Sequence, residues 1–95
     1  MYRAELFSNQ SVQDDIIEVL EENIAGIQYT IVPVVYGRGE SDYKLGTTTW
    51  PETNFMLISY VEDKDVPMLK AAVAAVKAKF ADEGIKCFIS KVEEA

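Results

Sequence analysis

Apolar and polar residues follow two different periods along the first third of the chain. Residues 2–8 alternate between two faces, which is typical of a β-strand. Apolar residues then recur every four positions, so the pattern predicts a helix with Ser11 as its N-cap and Gly26 just past its end. The recurring positions of this helix are Val12, Ile16, Leu20 and Ile24.

The rest of the chain predicts three strands and a second helix. Residues 27–36, 55–61 and 85–92 are rich in β-branched and aromatic side chains, and each is predicted to be a strand. The second helix is expected to begin at Asp65 as its N-cap and to end at Gly84. Its apolar stripe consists of Val66, Leu69, Val73, Val76 and Phe80.

The order of these elements is βαββαβ, which predicts a ferredoxin-like α+β sandwich. In this fold an antiparallel four-stranded sheet carries two helices on one face. Pro33 cannot donate a backbone hydrogen bond, so the second strand is expected to lie at an edge or to carry a bulge. The length of 95 residues predicts a single domain over residues 1–95.

The predicted sheet is apolar on both faces, although its helices can cover only one. The third strand presents Phe55, Leu57 and Val61 on one side and Met56, Ile58 and Tyr60 on the other. If about five such side chains were exposed, the protein would lose ~10 kcal/mol of stabilising free energy from their burial, which is comparable to the whole stability of a small domain. The pattern therefore predicts a closed homo-oligomer that covers the second face.

A long loop, residues 37–54, separates the second and third predicted strands. Loops of this length in a small domain are generally either functional or disordered. Gly37 and Gly39 would let backbone N–H groups approach an anion, to which Arg38 adds a forked donor; the alternative is that these glycines only relieve crowding at the strand exit. Trp50 is the only tryptophan, and it either anchors a partner or packs on a neighbouring subunit.

Composition narrows the classes of function. A net charge of −7 argues against binding to nucleic acid or to an anionic membrane surface. The absence of histidine excludes catalytic Ser-His and Cys-His pairs and most zinc or copper sites. Cys87 is the only cysteine, which favours a reducing compartment. With no signal peptide or membrane-spanning segment, the sequence predicts a cytoplasmic protein without membrane insertion.

The element order, the long loop and the strand exit Tyr36-Gly37-Arg38 resemble the nitrogen-regulatory PII family. Within residues 29–54, the sequence resembles small stand-alone PII-like proteins more closely than it resembles the nitrogen regulators themselves. The resemblance implies a homotrimer whose sheets face inward, with ligands in clefts between subunits. It also implies that the loop, the family's T-loop, contacts a target protein.

The resemblance also suggests which residues form the sites. The ligand-binding residues would be Gly37, Arg38, Gly39 and Lys86, and those contacting a partner would be Tyr43, Lys44, Trp50 and Asn54. The chain departs from the family in its phosphate loop, which is reduced to residues 82–86. The family's arginine-bearing C-terminal extension has no counterpart here. We therefore do not expect ATP sensing of the nitrogen-regulatory kind.

No catalytic constellation is found, so the sequence predicts a signalling protein that is not an enzyme and needs no cofactor. Its effector would be an adenine nucleotide or another small anion, and its target protein is not identified. One alternative is a constitutive trimer resembling the CutA-type proteins, with a structural or cation-linked role. Another is a small enzyme that uses an acid–base pair from Glu40, Asp42 and Glu52.

Overall fold

A computed structural model of the chain describes residues 1–36 and 53–95, which form a four-stranded antiparallel sheet and two α-helices. The strands are β1 (Tyr2–Asn9), β2 (Thr30–Val35), β3 (Asn54–Val61) and β4 (Lys86–Lys91), and the helices are α1 (Gln13–Asn23) and α2 (Val66–Lys79). Short 3₁₀ turns lie at Gln10–Val12, Asp63–Asp65 and Ala81–Glu83. The predicted βαββαβ order and ferredoxin-like α+β fold are confirmed.

The strand order is β2-β3-β1-β4, which places β2 at one edge and β3 in the interior. Val32 pairs with Met56, whereas Val35 pairs with Asn54, so the register shifts between these two points. Pro33 lies in the shifted stretch. Both sequence expectations for this proline, an edge strand and a bulge, are confirmed, because a residue without an N–H is tolerated where the ladder is interrupted.

One face of the sheet and both helices share a single hydrophobic core. Its strand residues include Ala4, Leu6, Phe55, Leu57 and Val61, and its helix residues include Ile16, Val19, Leu20, Leu69, Ala72, Val73 and Val76. The side chains of β1 and β3 alternate between this core and the opposite side, as the buried and half-buried positions show. The prediction that both helices lie on one face is confirmed.

The predicted helix starts need correction. Ser11 is not the N-cap of α1, because the side chain of Asn9 accepts a hydrogen bond from the Ser11 N–H at 2.8 Å and caps a 3₁₀ turn that precedes the helix. Asp65 does occupy the N-cap position of α2, but its side chain makes no capping hydrogen bond. Its backbone is already helical because the 3₁₀ turn Asp63–Asp65 leads directly into α2.

Each helix is followed by its predicted glycine, but the glycine does not lie directly at the helix end. Gly26 has φ +74° and Gly84 has φ +61°, the left-handed conformation that favours glycine. α1 ends at Asn23 and α2 at Lys79, so each helix stops several residues before its glycine. The strand β2 begins at Thr30, later than predicted. The Ile27 N–H donates to the Ile24 carbonyl at 3.2 Å, so Ile27 still belongs to the turn out of α1.

Candidate functional site

The second face of the sheet, which we call the open face, lies opposite both helices. Strand alternation and register place on it Arg3, Glu5, Phe7, Thr30, Val32, Met56, Ile58, Tyr60, Lys86, Phe88 and Ser90. The side chains of Tyr60 and Phe88 are 52% and 59% exposed, respectively. The open face therefore combines apolar with polar residues, and two of its three aromatic side chains, those of Tyr60 and Phe88, are more than half exposed.

A charged cluster interrupts the apolar surface of the open face. Arg3 Nε lies 2.9 Å from Glu5 Oε1, and Arg3 Nη1 donates a hydrogen bond of 3.3 Å to Tyr60 Oη. The guanidinium carbon of Arg3 is 5.9 Å from the centre of the Tyr60 ring, which adds a cation–π contact. Arg3 and Tyr60 are partners in the β1–β3 register, so the sheet itself brings them together.

The base of the long loop is held by Gln10, which directly follows β1. The backbone N–H of Gln10 donates to the carbonyl of Thr53 at 3.0 Å, just before β3 begins. Its side-chain amide donates to the carbonyl of Pro33 in β2. One residue thus ties together the two strands that flank residues 37–52. Gln10 was not predicted from sequence, because a polar residue at a predicted strand end is too common a feature to single it out.

The predicted ligand-binding residues fall in two places. Gly37, Arg38 and Gly39 lie outside the described residues. Lys86 is the first residue of β4, exposed and paired with Phe7. Because β4 and β2 are the two edges of the sheet, they are three strand spacings, about 14 Å, apart. Within one chain, the sheet therefore does not bring Lys86 next to the end of β2.

Most predicted partner-contact residues also lie outside the described part of the chain. They are Tyr43, Lys44 and Trp50. The acid–base residues of the alternative enzyme prediction, Glu40, Asp42 and Glu52, lie outside it as well. Asn54 is the first residue of β3, where it pairs with Asn9 and Val35. Its position in the ladder makes it a fixed point at the loop base, and its contact with a partner stays a prediction.

A further set of polar groups lies on and beside helix α1. Helix α1 carries five acids and no base: Asp14, Asp15, Glu18, Glu21 and Glu22. The Tyr29 hydroxyl donates to Glu21 Oε1 at 3.1 Å, and this hydrogen bond raises the pKa of Tyr29 above its ordinary value. Among residues 1–36 and 53–95, no group of three or more His, Cys, Asp or Glu side chains is arranged to hold a metal ion.

Cys87 packs against the hydrophobic core from β4 and is half-buried. Burial raises the pKa of its thiol, so the neutral thiol is favoured over the nucleophilic thiolate. Cys87 therefore packs as a small hydrophobic side chain. In the described segments no helix has the length and apolar character needed to cross a membrane.

No protein-family model matches the chain, and no curated protein matches it either. Solved structures do show its fold. The chain is similar to CPII, a nitrogen regulatory PII-like protein from Thiomonas intermedia: the structure bound to ADP, AMP and acetate matches with a TM-score of 0.73 and 14% identity, covering 99% of this chain and 87% of that one. The structure of CPII bound to ADP and bicarbonate gives a TM-score of 0.71 and 16% identity, covering 96% and 84%.

A PII-like signalling protein from Thermus thermophilus is a further structural neighbour. It matches with a TM-score of 0.63 and 15% identity, covering 96% of this chain and 85% of that one. At this level of identity the likeness defines the fold. The chain therefore has the fold of the PII-like signalling proteins, over nearly its whole length, as the sequence resemblance predicted.

Proposed function

We propose that the chain is a PII-like regulatory protein that binds a small-molecule effector in clefts between its copies and does not catalyse a reaction. The observation that supports this most strongly is the likeness of fold, over 99% of the chain, to CPII bound to ADP, AMP and acetate. The effector class is an adenine nucleotide or another small anion. The single, core-packed Cys87 fits a cytoplasmic setting.

Self-association as a homotrimer is the second part of the proposal. The open face exposes large apolar side chains, including Tyr60 and Phe88, that the chain's own helices do not reach. Covering each such side chain would recover roughly 1–2 kcal/mol. A closed assembly with the open faces turned inward would do so without leaving any of them in solvent.

The proposed position of the effector lies between opposite sheet edges of neighbouring copies. Gly37, Arg38 and Gly39 follow Tyr36, the residue after β2, whereas Lys86 begins the opposite edge strand. In an assembly, Lys86 of one copy would face the β2 end of the next, and the two cations would bind one anion from both sides. Residues Tyr43, Lys44, Trp50 and Asn54 would then contact the target protein.

The effector would regulate partner binding through the loop. Gln10 holds both strands at the loop base, so an anion bound beside Arg38 acts close to a fixed point. A ligand shifts a loop between two conformations only if it binds one of them more tightly. The effector is therefore expected to change the affinity for the target, and the target to change the affinity for the effector by the same factor.

The experiment is a titration with ADP, AMP, ATP and bicarbonate, followed by Trp50 fluorescence and by native mass spectrometry. We expect one of these ligands to bind saturably with one site per chain. Arg38→Ala and Lys86→Ala should each weaken binding about tenfold or more, because each removes a charge-assisted contact. Lys70→Ala, which removes an exposed cation on α2, is the matched control and should not change the affinity.

An assembled protein that binds none of the four ligands would contradict effector binding and favour the CutA-like alternative. Equal losses of affinity in Arg38→Ala and Lys70→Ala would show that overall charge, and not a site, governs binding. A folded monomer at micromolar concentration would contradict the intersubunit cleft.

A further inference from the structure

The charged cluster of Arg3, Glu5 and Tyr60 lies near the middle of the open face. Its two charges belong to β1, which is one of the two interior strands. Arg3 is flanked by Tyr60 on β3 and Ser90 on β4, while Glu5 is flanked by Ile58 and Phe88. Any partner that covers the apolar part of this face must therefore also cover an ion pair.

The hydrogen bonding of the cluster is incomplete within the described residues. The guanidinium of Arg3 offers five N–H donors. Its Nη1 donates a long hydrogen bond of 3.3 Å to Tyr60 Oη. Its Nε forms an ion pair with Glu5 Oε1. This Nε is buried, yet it makes no well-aligned hydrogen bond among the described residues. The side chains of Arg3 and Glu5 are each still 32% exposed, so a partner can reach both.

Covering an ion pair is costly unless the partner completes its hydrogen bonds. A surface that brings a cation and an anion to matching positions would do this, whereas a purely apolar surface would not. The cluster therefore discriminates between partners, and between orientations of the same partner.

Charge distribution favours a second copy of this chain as that partner. Among residues 1–36 and 53–95, the open face carries two cations, Arg3 and Lys86, and one anion, Glu5, although the whole chain has a net charge of −7. All charged residues of helix α1, on the opposite side of the sheet, are acidic. Two copies can therefore approach through their open faces without the repulsion that would arise between their α1 helices.

We infer that Arg3 and Glu5 determine the orientation of self-association, with Arg3 of one copy contacting Glu5 of the next. In a symmetric assembly each copy supplies both signs, so every pair of copies makes the same contact. Tyr60 supports the arrangement by holding the Arg3 guanidinium over its ring. This inference rests on the self-association proposed above and adds the residues that direct it.

The first test compares single and double truncations by sedimentation and native mass spectrometry. Arg3→Leu and Glu5→Leu should each weaken association at least tenfold, since each leaves one charge covered and unpaired. The double variant Arg3→Leu/Glu5→Leu should associate about as tightly as the wild type but with a wider spread of stoichiometries. Glu18→Leu, an exposed position on α1, is the control and should associate as the wild type does.

The second test uses the exchanged pair Arg3→Glu/Glu5→Arg. Its copies should assemble with one another, because each interface again joins opposite charges. Mixed with isotope-labelled wild type, they should form far fewer mixed assemblies than random exchange gives, because like charges then meet. A purely structural role for the pair within one chain would leave mixing random.

Random mixing of the exchanged variant with wild type, or single truncations that associate normally, would overturn the inference while leaving effector binding intact. Urea unfolding at high dilution checks that each variant is folded. If the exchanged variant does not assemble at all, the charges do not act as a self-sufficient pair and the inference is equally overturned. A monomeric wild type would overturn the inference and the proposed assembly together.

Discussion

The two faces of the sheet use similar residues but have opposite environments. On the helix-covered face, Phe55 is fully buried and Leu6 is 1% exposed. On the open face, Phe88 and Tyr60 are more than half exposed. The same β3 strand supplies both Phe55 and Tyr60, so neither strand propensity nor composition explains the difference. What differs is whether the chain itself provides a cover.

This comparison separates two kinds of stability. Apolar residues on the covered face stabilise the individual chain, because they leave water when it folds. Those on the open face can contribute fully only when another molecule covers them. Substitutions of the same chemical size should therefore act on folding at one face and on association at the other.

The largest expected effect is that of Phe55→Ala on the covered face. Removing a fully buried phenylalanine should lower the free energy of unfolding by about 3–5 kcal/mol, through lost burial and the cavity left behind. The matched change Phe88→Ala, measured at a concentration where the protein is dissociated, should cost no more than about 1 kcal/mol. Urea denaturation provides both values, and similar losses would contradict the distinction between the faces.

The next effect is on the concentration dependence of stability. If open faces associate, the urea midpoint of the wild type should rise with protein concentration, because assembly stabilises the folded state by mass action. Phe88→Asp should remove this dependence and leave the dilute midpoint nearly unchanged. Phe55→Leu should lower the midpoint at every concentration and keep the dependence. A wild-type midpoint that stays constant would argue against assembly.

The fold could be predicted from sequence because most of its determinants are local. Alternating apolar residues indicate strands, and apolar residues at every fourth position indicate helices, without any information on tertiary contacts. The missing N–H of Pro33 indicated both the edge strand and the bulge. The N-cap at Ser11 was wrong because Asn9, two residues earlier, is an equally good capping residue. Local pattern alone did not decide between them.

The site was less predictable because its contacts are long-range. Arg3 and Glu5 share a strand face by alternation, but only the β1–β3 register brings Tyr60 beside Arg3. Gln10 reaches Pro33 and Thr53, which are distant in sequence. The resemblance implied a ligand site of Gly37, Arg38, Gly39 and Lys86 in a cleft between subunits, and this stays a prediction because one chain shows only that Lys86 lies at the edge opposite to β2.

A smaller effect is expected for two serines buried on the covered face. The hydroxyl of Ser59 donates to the carbonyl of Gln28 at 2.7 Å, so Ser59→Ala should lower the free energy of unfolding by about 1–2 kcal/mol. Ser8 is equally buried, but its hydroxyl has no hydrogen-bond partner among the described residues. Ser8→Ala should therefore be neutral or slightly stabilising. Equal losses in the two variants would mean that Ser8 has a partner in solution.

The smallest effect concerns the rim of the covered face, where Tyr29 joins the entry to β2 with α1. Its hydrogen bond to Glu21 raises the pKa of Tyr29, so folding favours the neutral phenol. The stabilisation is fully present below the unfolded pKa of about 10 and is lost as pH rises through the higher folded value. Ultraviolet titration should show one tyrosine ionising late, and that signal should be absent in Tyr29→Phe.

Glu21→Gln tests the cause of this shift, because it removes the charge of the acceptor while keeping a side chain of the same size. The late-titrating tyrosine should then ionise at lower pH, and the difference in stability between neutral and high pH should shrink. A late titration that persists unchanged in Glu21→Gln would contradict the hydrogen bond to Glu21 as its cause.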